Sequence, residues 1–576
     1  MKKLIAFALA AAMVLSLAAC GGGSSNSSGG STAEGINVDT SENAITDLVT
    51  YETAAREVEN FNVLNSQQAT DFYVITNLQD GLLSNDTNGE LIPNLAESWE
   101  TTDNGLTWTF HLREDAVWVD QNGEKMADLT AADFVTGLEW VMNAAKNQAS
   151  NTSMPADMIV GAADYYSYTS ELSEEEAAAL AADNETFMEM VGIETPDDYT
   201  VVYHCTAELP YFDTVATYAC LYPAPAALIE ELGVEGFRGI TPETMWYSGP
   251  YILTEFVSAN EKVFEPNPLW WGNDENTRFN SVTVKMVDDL NVAYTLYQNG
   301  EIDNVDLSES VLSNIYGDET SEYYDYLSEK LPTKYSFQMH LVFNKNNEDG
   351  EPDVNWNTAV ANENFRLSWY YGLDLTAFYA RTNAINPLTI ENNCYTMKGL
   401  CYTSDGTDYT DLVLQNLGLG ESDGTTPVKV DADKAAQYKA AAMEELTALG
   451  VTFPVEVDYY ISSASQTALD SANVLAQCFA DSLGEDYVKL NIKTYASSLS
   501  KEVRTPQLAS FYINGWGADY GDPENYLFQE SLGDDNAYYS AVYSRINDFV
   551  GDDALEAYDD ELVGLYETYT AMVEAA

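Results

Sequence analysis

Gly515-Trp-Gly-Ala-Asp-Tyr-Gly-Asp-Pro523 places an indole, a phenol, two acids and three glycines within nine residues. Glycine lets a backbone approach another chain closely or take a positive φ. Trp516 beside Asp519 is therefore the pattern of a ligand wall beside an anchor for positive charge. Two plainer readings stand next to it: Trp516 as part of a core, and Asp519 as the cap of a following helix. Gly521 and Pro523 are turn formers, so the stretch reads as a loop beyond a strand that ends at Asn514.

No comparable set of residues points to catalysis. The three histidines, His111, His204 and His340, sit in strand-like segments among apolar neighbours and read as structural. No nucleophile elbow, phosphate loop or zinc spacing occurs. Gly418 and Gly420 do not follow a strand, which removes a nucleotide-loop reading. Among 93 acids some carboxylates must lie close together, but nothing singles out a glycosidase-like pair. The expectation is a binding protein with no turnover, cofactor or metal.

The elements that must position the Trp516–Asp519 stretch are legible upstream. Residues 431–450 form a helix closed near Gly450, and Pro454–Ile461 follows as a strand. Leu469, Ala472, Ala476, Phe479 and Leu483 make one apolar stripe on the next helix. The strand Val488–Tyr495, a short helix near Ser498–Val503 and the strand Ala509–Asn514 complete a βαβ succession. A parallel sheet with right-handed crossovers is expected, and ligands bind beyond the carboxyl ends of such strands. Farther upstream, Trp108–Leu112 and Thr200–Cys205 alternate as strands. Helices open at Thr130, with Asp133 three residues on, and at Ser173, with Glu176 three residues on.

The chain begins with Lys2 and Lys3, an apolar run from Leu4 to Ala18, and Leu17-Ala-Ala-Cys20. This reads as an export signal too short to span a bilayer. Gly21–Thr32 is nearly all Gly, Ser and Asn, a flexible tether. The net charge of -69, with only 24 basic residues, excludes a nucleic-acid partner, because phosphate neutralisation needs Lys and Arg clusters. The acids are scattered and read as solvated surface that repels an anionic membrane. Beyond Cys20 there are Cys205, Cys220, Cys394, Cys401 and Cys478. An exported chain permits disulfides; Cys394 and Cys401 are the expected pair if one forms, with buried free thiols the alternative for the rest.

The run Leu17–Cys20 resembles a bacterial lipobox, which implies cleavage before Cys20 and lipid on its new N-terminus. Four further stretches resemble the extracellular solute-binding proteins of family 5, and most closely their oligopeptide-binding members. They are LIPNLAESWETTDNGLTWTFHLREDAVWVDQNGEKMADLTAADFVTGLEWVM, SGPYILTEFVSANEKVFEPNPLWWG, ENFRLSWYYGLD and GWGADYGDPENYL, in the family's order across most of the chain.

That resemblance implies an α/β, two-lobed periplasmic-binding-protein-like fold (type II, the large cluster C) with an extra small subdomain, a central hinge and a cleft. The N-terminal residues and the lipobox resemblance place the signal at 1–19 and the tether at 20–35; the family resemblance places the lobes. Lobe I takes 36–85 and 200–335, the small subdomain 86–199, and lobe II 336–576. It also implies that lobe II stops inside its final helix, before a return to lobe I. By the same resemblance Asp519 takes a peptide's α-ammonium. The backbone from Asn514 through Gly515 to Gly517 pairs with the peptide as an added strand, Trp516 lines the first side-chain pocket, and Tyr520 belongs to the same loop. The implied partners are an oligopeptide, the permease subunits of an ABC importer, and the membrane through the lipid on Cys20, with the protein itself a monomer on the outer face of the cytoplasmic membrane or facing a periplasm. Same-fold binding of an oligosaccharide, a nickel complex or a signalling peptide is the alternative, with Trp270 and Trp271 as stacking surfaces for a sugar.

Overall fold

The computed structural model describes residues 46–531 and 560–574, apart from 54–56, 67, 87–88, 148, 150, 274–278, 329–334, 404, 421–426, 464 and 497–498. Cys20, the signal and the tether lie outside the described residues. The chain divides into two units, Met1–Ser308 with Asp318–Glu329, and Glu309–Gly317 with Lys330–Ala576.

The first unit holds two four-stranded sheets. Strand β1 (Asp47–Thr53) begins one of them. The other consists of β2 (Ala96–Thr102), β3 (Thr107–Leu112), β4 (Ile193–Asp197) and β5 (Thr200–His204), in the antiparallel order β2–β3–β5–β4. Alternation in β3 buries Trp108, Phe110 and Leu112. Helix α1 (Ala131–Met142) starts where the sequence sets it: the Thr130 N–H donates to the Asp133 carboxylate at 2.8 Å. The Ser173 N–H and Glu176 bond likewise at 3.1 Å. Strands β6 (Tyr251–Val257), β7 (Glu261–Pro266) and β8 (Ser281–Val287) complete the first sheet as β1–β8–β7–β6, with β1 parallel to β8.

The second unit is built around β9 (Tyr335–Leu341), α2 (Val354–Ala361), α3 (Glu363–Gly372), α4 (Ala432–Ala448), β10 (Val455–Ser462), α5 (Gln466–Leu483), β11 (Val488–Tyr495) and β12 (Phe511–Gly517). Its core is aromatic. Trp356, Phe365, Trp369, Phe479, Tyr487 and Phe511 are buried together, with Trp369 edge-on to Phe479 at 5.0 Å and Phe479 stacked on Phe511 at 5.8 Å.

Strands β10 and β11 are parallel, as the βαβ pattern requires. The third strand departs from it: β12 pairs antiparallel with β9, not within the parallel sheet. Ser510 sits where the strand changes neighbours: its N–H donates to the Asp458 carbonyl at 2.8 Å, its hydroxyl accepts from the Asp458 N–H at 2.9 Å, and its carbonyl accepts from the Val342 N–H at 2.9 Å, just past β9. The apolar stripe of α5 is also rotated from the expected one. Ala472, Leu475, Cys478, Phe479 and Leu483 face the core, whereas Leu469 is exposed and Ala476 only half-buried. A Leu at 475 removes more apolar surface from water than an Ala at 476, so the larger side chain sets the helix face.

The expected Cys394–Cys401 disulfide is absent: Cys205, Cys220, Cys394, Cys401 and Cys478 are all free thiols. Cys394 is buried with its Sγ 3.8 Å from the Thr410 carbonyl, and burial raises its thiol pKa. The backbone at Cys401 is held separately, its carbonyl accepting from the Tyr409 N–H at 3.1 Å.

Candidate functional site

The residues from Asn514 to Gly517 are not loop, as their composition suggests, but the end of β12. Register explains why glycines are tolerated in a strand there. Tyr335 stands opposite Gly517 and Phe337 opposite Gly515. The Phe337 ring lies on Gly515 so closely that a Cβ at 515 would sit 2.6 Å from it. An aromatic side chain across the strand supplies the cover that glycine cannot.

Alternation separates the strand pair into two faces. Tyr335, Phe337, Met339, Gly515 and Ile513 share one, which runs into the aromatic core. Ser336, Gln338, His340, Tyr512, Asn514 and Trp516 share the other. There Trp516 packs, half-buried, against a small cluster of Val342, Val503, Ala509 and Tyr512.

Asn514 is clamped from two sides. Arg504 Nη2 donates to its Oδ1 at 2.7 Å, and its Nδ2 lies 3.1 Å from His340 Nδ1. The amide therefore donates to a neutral imidazole. Burial, reinforced by Arg504, lowers the His340 pKa from 6.5 to about 4. An unfolded chain takes up the His340 proton near pH 6.5, and the folded chain refuses it until about pH 4. Stability is accordingly lost as the pH falls through this window. The His340→Gln variant is expected to lose about 2–3 kcal/mol less than the parent between pH 7 and 4.5. Urea midpoints at the two pH values measure this; parallel pH profiles for both proteins would refute it.

Beyond Gly517 the chain folds back on a short helical turn, Glu524–Leu527. One oxygen organises the bend. Asn525 Oδ1 accepts from Trp516 Nε1 at 3.0 Å and from the Asp519 N–H at 2.9 Å. The Tyr526 hydroxyl accepts from the Ala518 N–H at 3.2 Å. Burial raises the Tyr526 pKa, the Ala518 bond opposes this, and the nearby Asp519 and Tyr335 add to the rise. The N–H of Glu524 goes to Asp522 Oδ1 at 2.8 Å, so Asp522 rather than Asp519 serves the helical turn. Tyr520 donates its hydroxyl to Glu524 at 2.5 Å. Asn525 and Tyr526 escape sequence reasoning, since they look like ordinary residues of a helix start; the Asp-Pro turn before them is the one local sign that the chain doubles back.

In the first unit Trp270 and Trp271 are committed elsewhere. Their indole N–H groups donate to Asp80 at 2.7 and 2.9 Å, and the Arg113 guanidinium lies 3.5 Å from the centre of the Trp271 ring. Burial pushes Asp80 up to about 6, against the pull of both indoles, Asn94 and Arg113. The Arg113-covered face of Trp271 is not an open platform for a sugar. His111 and His204 lie near Glu100 and Glu194, at 3.9 and 3.1 Å, on the small sheet.

A model of the bacterial extracellular solute-binding proteins, family 5 (middle region), matches residues 90–537. The oligopeptide-binding protein AliB of Streptococcus pneumoniae serotype 4 is 27% identical over 534 residues, covering 86% of this chain and 76% of AliB. The oligopeptide-binding protein SarA of Streptococcus gordonii is 28% identical over 550 residues, covering 90% of this chain and 77% of SarA. Among solved structures, Listeria monocytogenes OppA bound to peptide aligns with a TM-score of 0.59 at 18% identity, covering 92% of this chain and 91% of that chain. That likeness is one of fold, the α/β two-lobed periplasmic-binding-protein type.

Proposed function

The chain belongs to the bacterial extracellular solute-binding proteins of family 5, and from that premise we propose that it captures oligopeptides outside the cytoplasm and delivers them to the permease of an ABC importer. The observation that carries the reading is local. A strand of known register leads into Asp519, whose N–H donates to Asn525 Oδ1 in the turn that follows. A peptide laid along residues 514–517 gains main-chain hydrogen bonds that do not depend on its sequence. Asp519 then receives its α-ammonium, and Trp516 lines the first side-chain pocket. Gly515 and Gly517 keep the strand thin where the peptide lies, and Tyr520 braces the turn through Glu524. The names of AliB and SarA, both oligopeptide-binding, agree with this ligand class.

The proposal includes the lobe closure about a hinge that the fold type implies, with the segment 86–199 as a subdomain of the first lobe. No catalytic step is assigned. Native mass spectrometry of protein purified without denaturation tests the ligand class. Bound masses that fragment as peptides with free N-termini are expected; a bound sugar or metal chelate would replace the reading.

Anchoring is proposed at Cys20, by lipid. The Cys20→Ser protein is expected in the soluble fraction after cell lysis, while the parent stays with membranes through a salt wash. A mutant that still sediments wholly with membranes would remove the lipid from the proposal. Among the described residues no helix is long and apolar enough to cross a membrane.

A further inference from the structure

Phe337 and Tyr335 are among the large apolar side chains left exposed, at 58% and 42%. They stand two residues apart on one strand, hence on one face, with their rings 6.2 Å apart. Each sits opposite a glycine of β12. With no side chains at 515 and 517, nothing on β12 separates these rings from what lies along it, and Phe337 already reaches across the Gly515 backbone. Tyr335 pairs with Gly517, two residues before Asp519. The rings are therefore next to the proposed ammonium anchor, on the opposite face of the strand from Trp516.

Resting on the peptide reading above, we infer that Phe337 and Tyr335 form an apolar floor for the second side chain of the bound peptide, and that the protein selects peptides with an aromatic or branched apolar residue there. The position follows from strand geometry. Successive side chains of an added strand point to opposite faces. If the first lies on the Trp516 face, the second lies on the Phe337 face. An acidic second residue is disfavoured twice, by the apolar floor and by Asp519, Asp522 and Glu524 in the adjoining turn.

The test is titration calorimetry with pentapeptides bearing free N-termini, all alanine except for Phe, Ala or Glu at the second position, or Phe at the first. The wild type is expected to bind the second-position Phe peptide about tenfold more tightly than the Ala peptide, and the Glu peptide more weakly than either. In Phe337→Ala the second-position preference is expected to fall below about twofold, with any first-position preference kept, since Trp516 is untouched. Gly515→Ala provides a second variant that keeps the ring but pushes it aside, and is expected to shrink the same preference. A purely structural role for Phe337 would move the unfolding midpoint and leave the ratio between peptides unchanged. Equal binding of all second-position peptides by the wild type, or a preference that survives both variants, overturns the inference while leaving peptide binding intact. Failure of every peptide to bind the wild type overturns the peptide reading and this inference together.

Discussion

Asp519→Asn is expected to weaken binding of a peptide with a free N-terminus by roughly a hundred- to several-thousand-fold. An α-ammonium enclosed by protein loses its hydration and needs a counter-charge and hydrogen bonds in return. Removing one member of such a buried pair costs about 3–5 kcal/mol, because the other is left charged and alone. The amide is nearly isosteric, and the Asp519 N–H keeps its bond to Asn525, so the turn should survive the change. An N-acetylated peptide brings no charge to meet the carboxylate, so the wild type should reject it. The mutant should lose most of that discrimination. Calorimetry of both proteins with free and acetylated forms of one peptide closes a four-point cycle. A coupling energy near zero would falsify the anchor role of Asp519.

Lys345→Met is expected to destabilise the second unit by about 3 kcal/mol, the lower end of the range for breaking a buried ion pair. Lys345 is almost fully buried, with Nζ 2.6 Å from Asp353 and 2.9 Å from Asp458. Asp353 also caps α2 by accepting from the Trp356 N–H at 3.0 Å, and Asp458 lies on β10. One cation thus ties the start of a helix to a strand. Burial acts to lower the Lys345 pKa, but the bonds to Asp353 and Asp458 outweigh it and raise the value. Methionine fills the volume and leaves two carboxylates facing each other. They are 22% and 19% exposed, so water relieves part of the repulsion, which places the cost at the lower end. Urea unfolding followed by tryptophan fluorescence should report it, since Trp356 and Trp369 lie in this unit's core. Changing Asp458 to Leu in the same protein should recover part of the loss. A shift under about 1 kcal/mol for Lys345→Met would mean that the two ion pairs are idle.

Local signals carried much of this architecture, and they failed where distant residues decide. The α4–β10–α5–β11 run is written in periodicity and turn residues, and the α1 start in a Thr130–Asp133 pair that any reader of the chain can find. The neighbour of β12 is not written there. Its partner is β9, a strand remote in the sequence, and that pairing is made only when the two segments meet. Gly515 and Gly517 argue for a loop when read alone, and for a strand once Phe337 and Tyr335 lie across them. At the candidate site Asp519 and Trp516 stand out by type, but Asn525 and Tyr526, which hold them in place, have side chains common at any helix start. Their role comes from the chain reversing at Asp522-Pro523, which brings the amide back to the strand end.

That shared amide sets a limit on how the molecule can be retuned. Trp516 and Asp519 hang from the same oxygen of Asn525, one through its indole and the other through its backbone. Residues that share a partner do not respond independently to substitution. A library that varies position 516 to reshape the first pocket also releases one of the two bonds that orient Asn525, and so disturbs the neighbouring anchor. Selectivity and grip are mechanically geared together here. A designer who wants a new first pocket at undiminished affinity should keep a hydrogen-bond donor at 516, or vary 516 and 525 as a pair.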